Sequence, residues 1–128
     1  MVLPKPMRIQ GHKSFNYLHK KGVRFYGSSM LLRVVNGQSN LLSSNVYETG
    51  PKSCRCAVSI SCKVNKKAVI RNQLRRMLHR HLRQRLELRE EHSNKWALIT
   101  LKQHSSTKPM FSLLEECDQL LKEAGLYR

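Results

Sequence analysis

KVNKKAVIRNQLRRMLHRHLRQRL, residues 63–86, holds nine Lys or Arg residues and no acid. At about 3.6 residues per turn, Ile70, Leu74, Met77, Leu78, Leu82 and Leu86 fall on one helical face, while Arg71, Arg75, Arg76, Arg80 and Arg83 fall largely on another. Solvated helix faces ordinarily mix signs and gain from i, i+4 ion pairs, whereas Arg71 with Arg75 and Arg76 with Arg80 repel. Only a polyanion would relieve that repulsion. The stretch therefore predicts a helix with one dry side and one phosphate-seeking side.

Immediately upstream, residues 54–63 alternate. Cys54, Cys56, Val58, Ile60 and Cys62 point one way, and Arg55, Ala57, Ser59, Ser61 and Lys63 the other. The first set predicts a core face; the second is small, polar and rimmed by cations, a sheet surface on which an extended ligand can lie. Downstream, the helix runs to about residue 89 and is closed by Glu90 to Asn94, and WALITL, 96–101, reads as a buried strand. After QHSSTKP, with Ser106 or Thr107 as N-cap and Pro109 in the first turn, Met110, Leu113, Leu114, Cys117, Leu120, Leu121 and Ala124 mark an amphipathic helix that Gly125 ends. Towards the N-terminus, Phe15 and Leu18 set a short helix over about 12–21 with Gly22 as C-cap. Residues 23–35 hold two β-favouring runs broken by Gly27-Ser28-Ser29, and residues 36–52 are a long turn-rich loop. The order αβββαβα predicts an α+β sandwich in one domain spanning 1–128.

The net charge of +16 is unevenly placed: residues 1–86 carry 18 basic residues and a single acid, Glu48, whereas residues 87–128 carry 6 basic and 7 acidic. A nucleic acid fits that field better than a membrane surface, because the apolar helix face lacks the large aromatics of interfacial helices. No apolar run is long enough to span a bilayer and no signal-peptide core opens the chain, so an intracellular, cytoplasmic protein with no membrane partner is expected. Cys54, Cys56 and Cys62 with His79 or His81 could suggest zinc, but a strand does not easily supply four converging ligands, and the i, i+2, i+8 spacing puts the thiols beside Val58 and Ile60, so core packing is expected and no metal site. No paired carboxylates, nucleophile elbow or phosphate loop appears, so no catalytic side chain is assigned. Strands on both sides of the basic helix argue against a helix-turn-helix reader and for a sheet-plus-helix RNA binder, with Phe15, Tyr17, Phe25 and Tyr26 as candidate stacking residues.

The strand VSISCKV followed by KKAVIRNQLRRMLHRHLRQ resembles the protein subunit family of bacterial ribonuclease P, and LPKPMRIQGHKSFNYLHKKG is similar to that family's opening. The likeness covers nearly the whole chain except 36–52. It implies a ribosomal-protein-S5-domain-2-like fold with a rare left-handed βαβ crossover around the basic helix. It also implies a monomeric protein in a 1:1 complex with a catalytic RNA, assisting removal of the 5′ leader from precursor tRNA, with Mg²⁺ held mainly by the RNA. Carried over, Lys63, Lys66, Lys67, Arg71, Asn72, Gln73, Arg75, Arg76 and Arg80 would contact the catalytic RNA. Arg8, Phe15, His19, Arg33, Arg55, Ser59 and Ser61 would line the cleft for the single-stranded leader. The other reading left open is a structural RNA-binding protein of ribosomal type.

Three departures stand out. The family's Arg-Asn-Arg triplet is Arg71-Asn72-Gln73 here. The turn before the helix lacks its usual glycine and has one added residue, with Asn65 able to take a glycine-like conformation. His19 and Arg33 stand where aromatics are common, so leader binding is expected to rest more on charge and less on stacking.

Overall fold

A computed structural model describes residues 8–9, 11–36, 54–86 and 95–126. In chain order the elements are α1 (His12–Lys21), β1 (Val23–Tyr26), β2 (Met30–Asn36), β3 (Arg55–Ser59), α2 (Ala68–Leu86), β4 (Lys95–Leu101), a short 3-10 turn (Gln103–Thr107) and α3 (Met110–Glu123). This is the expected order. The strands form one sheet, β1-β2-β4-β3, in which β3 and β4 are parallel neighbours joined through α2 and the other pairings are antiparallel.

The alternation of the strands decides which helix covers which face. Met30, Leu32 and Val34 of β2, Cys56 and Val58 of β3, and Ala97, Ile99 and Leu101 of β4 share one buried face, against which Leu74, Leu78, Leu82 and Leu86 of α2 and Leu113, Cys117, Leu120 and Leu121 of α3 pack. On the other face, Trp96 and Leu98 meet Leu18 of α1 and Ile9. Register places Arg24, Arg33, Leu98 and Ala57 in one cross-strand row, and Tyr26, Leu31, Thr100 and Ser59 in the next, all on the α1 side. The sheet is thus sandwiched, with α1 on one side and α2 with α3 on the other.

Several sequence expectations need correction. The strand predicted over 54–63 ends at Ser59, because residues 61–64 turn back with the Val64 N–H donating to the Ser61 carbonyl at 3.0 Å. Cys62 is consequently exposed rather than on the core face, and Val64 takes the buried place. Residues 63–67 precede the basic helix instead of opening it, and Asn65 tightens that approach with its side chain, whose Oδ1 accepts the Lys67 N–H at 2.9 Å. Neither Ser106 nor Thr107 caps α3. Their hydroxyls donate to the Val64 and His104 carbonyls, and Pro109, with φ at −59°, occupies the capping position, its carbonyl accepting the Ser112 N–H at 3.1 Å. Gly125, with φ at 77°, does end α3, in the left-handed conformation that glycine tolerates. Gly22 closes α1 in an extended conformation; what it supplies is room, since a Cβ there would stand 2.5 Å from the Leu18 carbonyl oxygen and 3.2 Å from Arg33 Cβ. The loop expected over 36–52 lies outside the described residues beyond Asn36, as does the expected helix end near residue 89.

Candidate nucleic-acid interface

The buried stripe of α2 leaves its cations outward. Arg76 and Arg80 are exposed with Asn72 and Gln73, while Arg71 and Arg75 are half-buried at the margin. Asn72 Oδ1 accepts a 2.9 Å hydrogen bond from Arg75 Nη1, fixing that guanidinium one turn along. Lys63, Lys66 and Lys67, all exposed, extend the cationic strip onto the turn before the helix. Every residue assigned to catalytic-RNA contact therefore lies on one contiguous length of chain from the turn after β3 into the fourth turn of α2.

The dry side of α2 carries its own polar seam. His81, 7% exposed, is hydrogen-bonded through Nε2 to Asp118 Oδ1 of α3 at 2.7 Å, and Arg85 grips the same carboxylate with Nε at 3.0 Å and Nη2 at 3.3 Å. Burial pushes the Asp118 carboxyl up, but the hydrogen bonds from Arg85 and His81 outweigh it and hold the group below its usual range. Arg85 is thereby committed to holding α2 on α3. Half-buried His79 is pushed down to about 4, first by burial and then by the charges of Arg75 and Arg8.

On the α1 face, Phe15 is half-buried against the Leu18, Trp96 and Leu98 cluster and Tyr17 meets Trp96 edge-on at 6.2 Å. Phe25 packs towards the opposite core, so of the four candidate aromatics it alone faces away. Tyr26 is 66% exposed. Arg8 forms a parallel bridge with Cys56 at the outer edge of β3, and Arg55 Nη1 donates to the Arg8 carbonyl at 2.7 Å. Both sit at one end of the cleft. Ser59 is exposed on its floor; Ser61 lies in the following turn. At the other end, His19 and Arg33 come together with Arg24, which the sequence reading did not single out: burial, then the charges of Arg33 and Arg24, push the His19 imidazole down. The available signal was the strand period, which puts Arg24 two residues from Tyr26 and on its face.

The three buried thiols, Cys54, Cys56 and Cys117, behave as core. Burial pushes Cys54 and Cys117 up to about 12 and Cys56 well above its ordinary value. Among the described residues, no three His, Cys, Asp or Glu side chains gather as a metal site would need, and no helix is long and apolar enough to cross a membrane.

A four-stranded sheet with an acid-free cationic helix on one face and an open, cation-lined cleft on the other defines an α+β protein of the RNA-binding class. The sequence profile of the Ribonuclease P family matches residues 3–125, and the chain belongs to that family. Ribonuclease P protein components from Prochlorococcus marinus (strain MIT 9313) and Synechococcus sp. (strain WH7803) are 54% and 50% identical to it, each alignment covering 98% of both chains. Among solved structures, the Staphylococcus aureus RNase P protein aligns with a TM-score of 0.72 at 17% identity, over 95% of this chain and 98% of its own. The Thermotoga maritima RNase P protein gives 0.67 at 16%, over 91% and 96%. At such low identity the likeness to these two structures is one of fold.

Proposed function

We propose that this chain is the protein subunit of ribonuclease P, and that it binds the enzyme's RNA with the α2 face and the 5′ leader of precursor tRNA in the α1 cleft. The observation that carries the reading is the division of labour across one sheet. α2 displays Arg71, Asn72, Gln73, Arg75, Arg76 and Arg80 on one side, while Phe15, His19, Arg33 and Ser59 face the other, and the turn carrying Ser61, Lys63, Lys66 and Lys67 joins them. An extended single strand laid across the α1 face would meet a half-buried aromatic, small hydroxyls and cations, the mixture that holds unpaired RNA. Arg8 and Arg55 rim that cleft at the β3 edge.

The chemistry belongs to the RNA in this assembly. Among the described residues neither surface carries a carboxylate pair, and two of the acids, Glu116 and Asp118, are engaged within the fold. In this reading Mg²⁺ is held mainly by the RNA, and the α2 cations lessen the crowding of its phosphates. The chain acts as a monomer, one per catalytic RNA, in the bacterial cytoplasm.

The test is reconstitution. Adding the protein to a cognate bacterial ribonuclease P RNA at low Mg²⁺ restores cleavage of precursor tRNA, and the protein without RNA cleaves nothing. No stimulation by the protein with any cognate RNA would favour instead a structural RNA-binding role of ribosomal type.

A further inference from the structure

We propose that His19, Arg24 and Arg33 form a seat for one phosphodiester of the single-stranded leader, at the β1–β2 end of the α1 cleft. The proposal rests on the reading of that cleft as the leader site. Arg24 and Arg33 stand directly opposite each other across β1 and β2, on the face that α1 partly covers. Like charges in that relation are destabilising. His19 comes from the last turn of α1, which Gly22 allows to end against Arg33. The fold gives this repulsion no relief: among the described residues no carboxylate pairs with His19, Arg24 or Arg33.

Arg33 adds a second, independent observation. Its Nε is buried with no hydrogen-bond partner, and the one bond its guanidinium makes is a long one, 3.4 Å from Nη1 to Thr100 Oγ1 on the cleft floor. Buried polar groups in folded proteins almost always have partners, and an unmatched one marks a place where a ligand completes the set. A guanidinium so weakly held can turn its donors onto an incoming oxygen at little cost. Two facing guanidiniums with a neutral imidazole beside them, and no acid among the described residues paired with any of them, suit a phosphate, whose oxygens accept from several donors at once. Tyr26, exposed and in the same cross-strand row as Leu31, Thr100 and Ser59, offers a ring for an adjacent unpaired base. That ring, and the continuity of the row with Ser59, assign the phosphate to an extended RNA strand.

The experiment uses holoenzyme reconstituted with the cognate RNA and measures affinity for mature tRNA and for precursor tRNAs carrying one neutral methylphosphonate linkage at successive leader positions. At one position the neutral linkage should weaken binding to the parent holoenzyme roughly tenfold, as loss of charge-assisted hydrogen bonds does. Holoenzyme with R24Q/R33Q should bind unmodified precursor more weakly by a similar factor, lose the linkage effect, and keep its affinity for mature tRNA; R33K should recover part of the loss. The free R24Q/R33Q protein should melt no lower than the parent, since it removes a repulsion. If no leader linkage matters although the precursor is still preferred over mature tRNA, the seat does not exist. If the double variant weakens mature tRNA and precursor equally, the cluster serves the catalytic RNA and the proposal fails. A parent holoenzyme with no preference for the precursor would instead overturn the leader reading itself.

Discussion

Gly22 shows how a single missing side chain can position a site. Its extended backbone would suit any residue, but a methyl group there would meet the Leu18 carbonyl and crowd Arg33. Gly22→Ala is expected to destabilise the protein by about 1–3 kcal/mol, the usual range for overpacking against backbone, measured by urea unfolding. His79 makes a different prediction. It is held neutral down to about pH 4 in the fold, whereas in the unfolded chain it protonates near 6.5, so its contribution is complete above 6.5 and is lost as pH falls towards 4. Unfolding followed across that window should show a declining stability that H79Q flattens, leaving in place the loss at lower pH that comes as Asp118 protonates. Phe15→Ala should weaken precursor tRNA binding more than mature tRNA binding, because its ring lies on the α1 face and not on α2; equal losses would remove it from the cleft.

At the scale of elements, α3 acts as the brace of both surfaces. Through Asp118 it holds α2 by His81 and Arg85, and through Glu116 it accepts the Ser28 hydroxyl at 2.6 Å and the Ser29 N–H at 2.9 Å, fixing the β1–β2 turn. Two arginines on one helix should therefore behave oppositely. R85Q should lower unfolding free energy by about 1–2 kcal/mol, a charge-assisted hydrogen-bond loss in a partly solvated pair, with little change in RNA affinity. R80Q, exposed on α2, should leave stability within about 0.5 kcal/mol and weaken RNA binding. Paired urea and RNA-binding measurements on the two variants separate the roles. The earlier end of β3 has a similar logic: the turn at 61–64 moves Cys62 out to solvent and lets Val64 fill the core, so the strand alternation is correct only as far as Ser59.

For the whole molecule, the charge asymmetry becomes a salt dependence. Each phosphate contact adds about 0.7–0.9 to the slope of log K against log salt, so removing Arg71, Arg76 and Arg80 together should lower the slope for assembly with the RNA by roughly 2. An unchanged slope would show that α2 does not face the RNA. What was legible beforehand is what local period and charge encode: the dry stripe of α2, the core thiols Cys54 and Cys56, the order of elements, and the basic strip from Lys63 to Arg80. These follow from residues a few positions apart, whose side chains share a face whatever the rest of the chain does. Strand order and helix placement do not follow that way. β4 inserts between β2 and β3, so Arg33, Thr100 and Ser59 become neighbours although distant in sequence. Likewise Arg85 meets Asp118 across 33 residues, and Arg24 faces Arg33 through the hairpin register. The sequence by itself determined that a cationic helix follows a thiol-lined strand; the tertiary structure decided which cations are spent holding helices together and which are left on the surface, because pairing across a sheet depends on contacts that no local pattern records.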